Sequence, residues 1–278
     1  MRRFVLAVLA CASVAHGQTA PKVTRLGPTP PKNLLWVGNS FFYYNSGLST
    51  LVWGLLESVE PDNDFNSRMA TIGGAPLSLH DLEAYLRLDS PERFSMPSNS
   101  RLVLAKPRPF DAVILQDCSQ CPVNPQLERR FHETVLKDSV LARKHGATTI
   151  LFMTWAYADR PEMTAALAEA YTRAGNETGA LVVPAGLAFA AARAKDSTVS
   201  LYQADKFHPS LAGSYLAACT VLAAVYGMSP VGNRYTAGLD GKTASLLQSV
   251  AVETVARYYG VGVEAASRSS LQSQVKRR

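Results

Sequence analysis

Five short β-rich runs, each followed by a stretch of different periodicity, constrain this chain most. Residues 33–38 (Asn-Leu-Leu-Trp-Val-Gly) run continuously apolar and end in glycine, as a strand covered on both faces does. Further runs lie near 67–72, 111–116, 148–155 and 180–185. Helical spacing separates them at 47–59, 78–88, 125–145 and 161–175, and two more helices, 210–226 and 243–259, close the chain. Pro161 opens one of these helices and Gly146 follows another, the usual asymmetry of helix ends. Residues 90–109, with Pro91, Pro97, Pro107 and Pro109, read as a long loop. The alternation predicts an α/β fold: a single doubly wound domain with a five-stranded parallel sheet flanked by helices. No internal repeat or linker divides residues 32–262, which are expected to form one domain.

Composition agrees. The chain is 47% hydrophobic and 18% charged, against about 25% charged for an average globular protein, so it can bury a large core and is not a disordered chain. Four cysteines are too few for a disulfide-built scaffold. The 28 basic and 22 acidic residues form no stripe interleaved with aromatics, which argues against a nucleic-acid partner.

Residues 1–17 read as a leader. Met1-Arg2-Arg3 is basic, residues 4–15 are largely apolar, and Ala15-His16-Gly17 offers small residues for cleavage. Export to the periplasm or the exterior follows; a lipoprotein anchored at Cys11 is the competing expectation. Loss of Arg2 and Arg3 leaves 26 basic against 22 acidic residues, a net charge of +4. Residues 18–31 read as an N-terminal linker and 263–278 as a polar, mobile tail. The uncharged stretch Leu211–Met228 is Ala-rich and reads as a buried helix, so no membrane span is expected after the leader. Cys118 and Cys121 form one CxxC, too few ligands for structural zinc; a local disulfide or two packed thiols is expected, and no metal.

In a doubly wound sheet, ligands bind beyond the C-terminal strand ends. Four segments lie there: Gly38-Asn39-Ser40-Phe41, Gly73-Gly74, Gln116-Asp117-Cys118-Ser119, and Asp205-Lys206-Phe207-His208-Pro209. A serine hydroxyl is a weak nucleophile and needs a base that a third group orients. Ser40 is the candidate nucleophile, His208 the base and Asp205 its partner. The N–H groups of Ser40 and Gly74 and the Gln116 amide are candidate oxyanion donors. Asn39, Phe41, Gly73, His80 and Ser119 are candidate cleft-lining residues. Two decoys fail on context: Asp240-Gly-Lys-Thr lacks the earlier P-loop glycine, and Gly260-Val-Gly follows a helix rather than a strand.

These segments resemble the SGNH (GDSL-type) hydrolase superfamily, in its exported, carbohydrate-esterase-like branch. Gly38-Asn39-Ser40 is similar to the nucleophile block, Gly73-Gly74 to the glycine block, and Asp205 to Pro209 to the D-x-x-H-P block, over roughly residues 33–228. Asn39 stands where GDSL has Asp, and the usual G-x-N-D block is absent. Some esterase branches carry a Q-x-x-S segment there, and that likeness assigns Gln116 as third oxyanion donor. The resemblance implies a flavodoxin-like three-layer fold. It also implies a cofactor-free serine esterase that removes a small acyl group, such as acetyl, from a small-molecule or glycan ester. A lipid-directed esterase or lysophospholipase, favoured by an apolar cleft around Phe41, Phe42, Tyr43 and Tyr44, is the second enzyme reading. A non-catalytic glycan-binding protein is the alternative outside enzymology.

Overall fold

The computed structural model describes residues 19–87, 94–95, 103–104 and 108–263. The leader with Cys11, Pro91, Pro97, Pro107 and all of the tail after residue 263 lie outside the described residues. The elements in order are β1 (Asn33–Gly38), α1 (Ser40–Tyr43), α2 (Leu48–Glu57), β2 (Asn66–Thr71), a 3-10 turn (Leu77–Leu79), α3 (Leu82–Leu86), β3 (Ala112–Leu115) and α4 (Glu128–Lys144). There follow β4 (Thr148–Phe152), α5 (Met163–Thr178), β5 (Leu181–Val183), α6 (Ala185–Lys195), α7 (Leu211–Tyr226) and α8 (Gly241–Tyr259).

The five strands form one parallel sheet in the order β2-β1-β3-β4-β5. The chain steps from β1 outward to β2, then returns across β1 to place β3 on its other side. That reversal opens a crevice at the carboxyl ends of β1 and β3. Side chains alternate along the strands, so each run feeds two cores. Leu34, Trp36, Ile114, Ile150 and Phe152 pack with α2, α7 and α8, whereas Leu35, Val37, Val113, Leu115 and Leu151 pack with α4 and α5. Burial on both faces is why β1 could be continuously apolar. The α7 helix has 15 of its 16 residues buried, so its lack of charge reflects a core position. Among the described residues no helix is long and apolar enough to cross a membrane.

Three expectations need correction. The fourth strand ends at Phe152, three residues early, because its partner β5 stops at Val183, and the Met153 carbonyl accepts from Gly186 in the next helix. Ala185 is not a strand residue; it opens α6, which has no capping side chain and an Ala-rich sequence with little periodic contrast. Within the segment read as loop, Phe94–Ser95 pairs antiparallel with Val103–Leu104.

The turn into α6 requires a bare backbone. A Cβ on Gly186 would lie 2.1 Å from the Thr154 carbonyl oxygen. Gly186→Ala should therefore cost about 1–3 kcal/mol, read as a lower urea midpoint at unchanged m. Gly241→Ala, where nothing lies within 4 Å of the added Cβ, should leave the midpoint unchanged or slightly raised.

Candidate active site

The nucleophile turn is built where β1 stops. Asn39 caps α1, its Oδ1 accepting from the Phe41 N–H at 3.3 Å, and its Nδ2 donates to the Ala75 carbonyl at 3.0 Å. The Ile72 N–H donates to the Gly38 carbonyl at 3.1 Å. These bonds hold the exposed Gly73-Gly74 turn beside the start of α1. Gly74 has φ +70°, a conformation glycine adopts without strain. Ser40, 8% exposed, is the first helical residue.

His208 and Asp205 arrive on one turn near the end of the chain. The Gln203 N–H bonds to the His208 carbonyl at 2.8 Å, and Tyr202 and Pro209 form a β-bridge that closes the turn. Asp205 Oδ1 accepts from the Phe207 and His208 N–H groups at 3.1 and 3.0 Å. Asp205 Oδ2 lies 2.7 Å from His208 Nδ1, and His208 Nε2 lies 2.8 Å from Ser40 Oγ. An ionised carboxylate only accepts, so Nδ1 carries the proton and Nε2 is left to accept from the serine hydroxyl. Partial burial pulls the Asp205 carboxyl upward, but the bonds from the His208 ring and the two backbone N–H groups outweigh it and hold its pKa below the usual carboxylate value. Three residues separated by as many as 168 positions thus form one relay.

Several groups hold His208 in ways that sequence reading did not assign to them. The Tyr44 ring stacks on the imidazole at 4.2 Å and 11°, Phe207 covers it at 4.2 Å, and Phe41 meets it edge-on at 5.8 Å. Phe41 itself stacks on Trp155, whose indole N–H donates to the Phe207 carbonyl at 2.9 Å. Asn45 Nδ2 reaches the Pro209 and Ser210 carbonyls at 3.0 Å and Ser214 Oγ at 2.7 Å, so the end of α1 is tied to the turn that carries the base.

The structure corrects three cleft assignments. Gln116 is fully buried; its Oε1 accepts from the Asn39 N–H at 2.9 Å and its Nε2 donates to the Asp117 carbonyl. The opposite amide orientation would set donor against donor and acceptor against acceptor, so Gln116 is a clasp and not an oxyanion donor. His80 is 3% exposed and edge-on to Tyr85, behind the Gly38 turn; burial pulls its pKa down, opposed by the Gly38 carbonyl. Phe41 is a core residue, as is Phe42, which weakens the expectation of an apolar cleft around them. Ser119 is half-buried, with its hydroxyl bonded to that of Tyr157 at 2.6 Å. Cys118 and Cys121 are joined in a disulfide, so the metal-like grouping of these sulfurs with Asp117 offers no free thiolates.

Behind this wall lie two buried acids. Asp117 Oδ1 accepts from the Leu77 and Cys118 N–H groups at 2.7 and 2.6 Å, and burial raises its pKa despite them. Asp138 on α4 is fully buried, with Lys137 Nζ 3.3 Å away but out of hydrogen-bond alignment. Burial pushes its carboxyl up to about 6, with the charges of Asp117 and Asp81 adding to the effect.

Neither a family model nor a curated protein sequence matches the chain. Solved structures do. A DUF4886 family protein from Bacteroides uniformis is 18% identical, with 83% of this chain and 96% of that one covered at a TM-score of 0.57. A candidate SGNH hydrolase from Slackia heliotrinireducens is 26% identical, covering 69% and 97% at 0.50. TesA is 18% identical, covering 69% and 97% at 0.51. The chain therefore has an SGNH-hydrolase-like fold.

Asp138 binds a proton in the folded protein at pH values where the unfolded chain has lost it, so its contribution to stability falls as pH rises from about 4 through about 6. Asp138→Asn should match the wild type near pH 4 and exceed it at pH 8, by up to about 3 kcal/mol. Urea unfolding of both proteins at the two pH values reads this, and an equal difference at both would refute it.

Proposed function

We propose that this protein is a serine ester hydrolase that removes a small acyl group, such as acetyl, from a carbohydrate through an acyl-enzyme intermediate. The observation that carries the reading is the continuous Ser40–His208–Asp205 relay, at 2.8 and 2.7 Å, in the crevice of an SGNH-hydrolase-like sheet. In this reading Ser40 Oγ attacks the ester carbonyl carbon while its proton passes to His208 Nε2. The negative charge that develops on the carbonyl oxygen is met by the N–H groups of Ser40 and Gly74, which have no partner among the described residues. Collapse of the tetrahedral species breaks the bond to the alcohol, and His208 returns its proton to that leaving oxygen. Water, deprotonated by His208, then attacks the acyl carbon; the acid departs and Ser40 recovers its proton. Asp205 stays ionised throughout and holds the imidazolium. Two backbone donors suffice for the charge, with Gln116 acting one layer behind by fixing the Asn39 N–H.

Export belongs to the same reading. The basic and apolar start of the chain supports it, as does the Cys118–Cys121 disulfide, a bond that persists in oxidising compartments. The burial of Phe41 and Phe42 favours a small acyl group over a long lipid chain.

Incubation with a fluorophosphonate probe should label Ser40 covalently, and Ser40→Ala should abolish both the label and hydrolysis of p-nitrophenyl acetate. Asp205→Ala should keep the fold and lower kcat by about 10²–10⁴-fold. A folded wild-type protein that neither labels nor hydrolyses the ester would support the glycan-binding alternative and end the esterase reading.

A further inference from the structure

An open pocket of about 530 Å3 is lined by Asn45, which bonds the end of the turn that carries His208. Its lining includes Asn45, Ser46, Thr50, Leu211, Arg234 and Thr236. Asn45 and Ser46 follow the nucleophile helix directly, and Leu211 lies three residues after His208. Because Asn45 also bonds the Pro209 and Ser210 carbonyls, the pocket rim and the catalytic base are held as one unit. The rim is a conformational oddity: Asn45, Ser46 and Gly47 have φ of 55°, 70° and 91° in succession. Two successive non-glycine residues in the left-handed region are strained, and such strain concentrates at functional sites.

Arg234 supplies the chemistry. Its neighbours on both sides are anchored inward. Asn233 Nδ2 donates to the Leu55 carbonyl at 2.9 Å, Gln248 Nε2 donates to the Asn233 carbonyl at 3.0 Å, and the Tyr215 hydroxyl donates to the Tyr235 carbonyl at 2.7 Å. The Tyr235 ring is packed so closely over α2 that a Cβ on Gly54 would meet it at 2.5 Å. The backbone beneath Arg234 is therefore fixed, yet its guanidinium has no carboxylate within 4 Å among the described residues, and its side chain lines the pocket. An unpaired guanidinium, exposed on a fixed backbone at the edge of a concave site, is suited to a planar oxyanion, which it can grip with two parallel hydrogen bonds. The rest of the lining combines the hydroxyls of Ser46, Thr50 and Thr236 with the apolar surface of Leu51 and Leu211, a mixture that matches the hydroxyl edge and carbon face of a sugar ring.

We infer that this pocket is a substrate subsite in which Arg234 binds the carboxylate of an acidic sugar, so that the preferred substrate is an acylated uronic-acid residue. The inference rests on the esterase reading for its link to turnover, but the binding itself does not need catalysis. The test uses a matched pair of probes: an O-acetylated methyl glucuronide as the free carboxylate and as its carboxamide, which has the same shape and no charge.

Wild-type kcat/KM should favour the carboxylate by about 10- to 100-fold, the range of one charge-assisted contact. The preference should shrink as salt is raised. Arg234→Gln should bring the carboxylate-to-amide ratio close to one, Arg234→Lys should retain part of it, and Arg257→Gln, at the far end of α8, should leave it unchanged. The ratio cancels any general loss of activity or folded protein. In parallel, the carboxylate should bind Ser40→Ala in calorimetry and fail to bind Ser40→Ala/Arg234→Gln.

Equal rates and equal binding for the two probes would overturn the subsite. So would inorganic phosphate displacing the sugar with similar affinity, since that would mark a general anion site. If the wild type binds the carboxylate selectively but turns over no ester, the subsite stands and the esterase reading falls.

Discussion

The junction of β1 and β3 sets everything else at the site. Gln116 leaves β3 with its backbone N–H on the Val37 carbonyl at 2.9 Å and its side-chain oxygen on the Asn39 N–H at the same distance. That double attachment is possible only because position 38 is glycine: a Cβ there would lie 2.4 Å from Gln116 Oε1 and 3.0 Å from the Phe42 ring. A strand, a missing side chain and a buried amide therefore fix the direction in which Ser40 leaves the sheet. From the same point Asn39 reaches Ala75, and Asp117 reaches Leu77, so the glycine turn is referenced to both strands. The geometry at the serine is a property of sheet pairing, transmitted through a few buried bonds.

Much of this was legible in the residues. Four apolar runs located the strands that are covered on both faces, because such strands lose their polar alternation; the half-exposed edge strand β2 was located by the Gly73-Gly74 that ends it. The serine, histidine and aspartate could be proposed together because chemistry restricts which residue types make a relay and topology restricts where they stand. What escaped follows from the same physics. Gln116 has the composition of a donor, but whether an amide faces a cleft or a neighbouring backbone depends on packing that pattern does not encode. His80 looked like a cleft residue by sequence distance from Gly74, while the turn at Leu77–Leu79 carries it behind the wall. The α6 helix was hidden because eleven residues rich in alanine show no contrast between faces. The stacking of Tyr44 on His208 was invisible because that contact is wholly tertiary.

The disulfide has a local role by its spacing. Cys118 and Cys121 are three residues apart, so the bond closes a very small loop and removes little entropy from the unfolded chain. The two cores above and below the sheet carry the fold. What the bond restrains is the short wall between Asp117 and the Ser119–Tyr157 contact, and Tyr157 in turn touches Phe207 at 5.5 Å. Cys219 is alone and buried in α7, with its thiol pushed up in pKa by that burial, which makes it chemically quiet.

Asp205 and His208 share one turn, closed on itself by backbone bonds, whereas Ser40 belongs to the sheet. The acid and the base therefore move as one rigid body. A displacement of that body would leave their mutual geometry intact, but it would break the bond to the serine hydroxyl together with those from Asn45 and Trp155 to the same turn. The alignment of imidazole and serine is therefore kept by the same contacts that fix the turn, chiefly the Asn45 bonds and the Tyr44 stack.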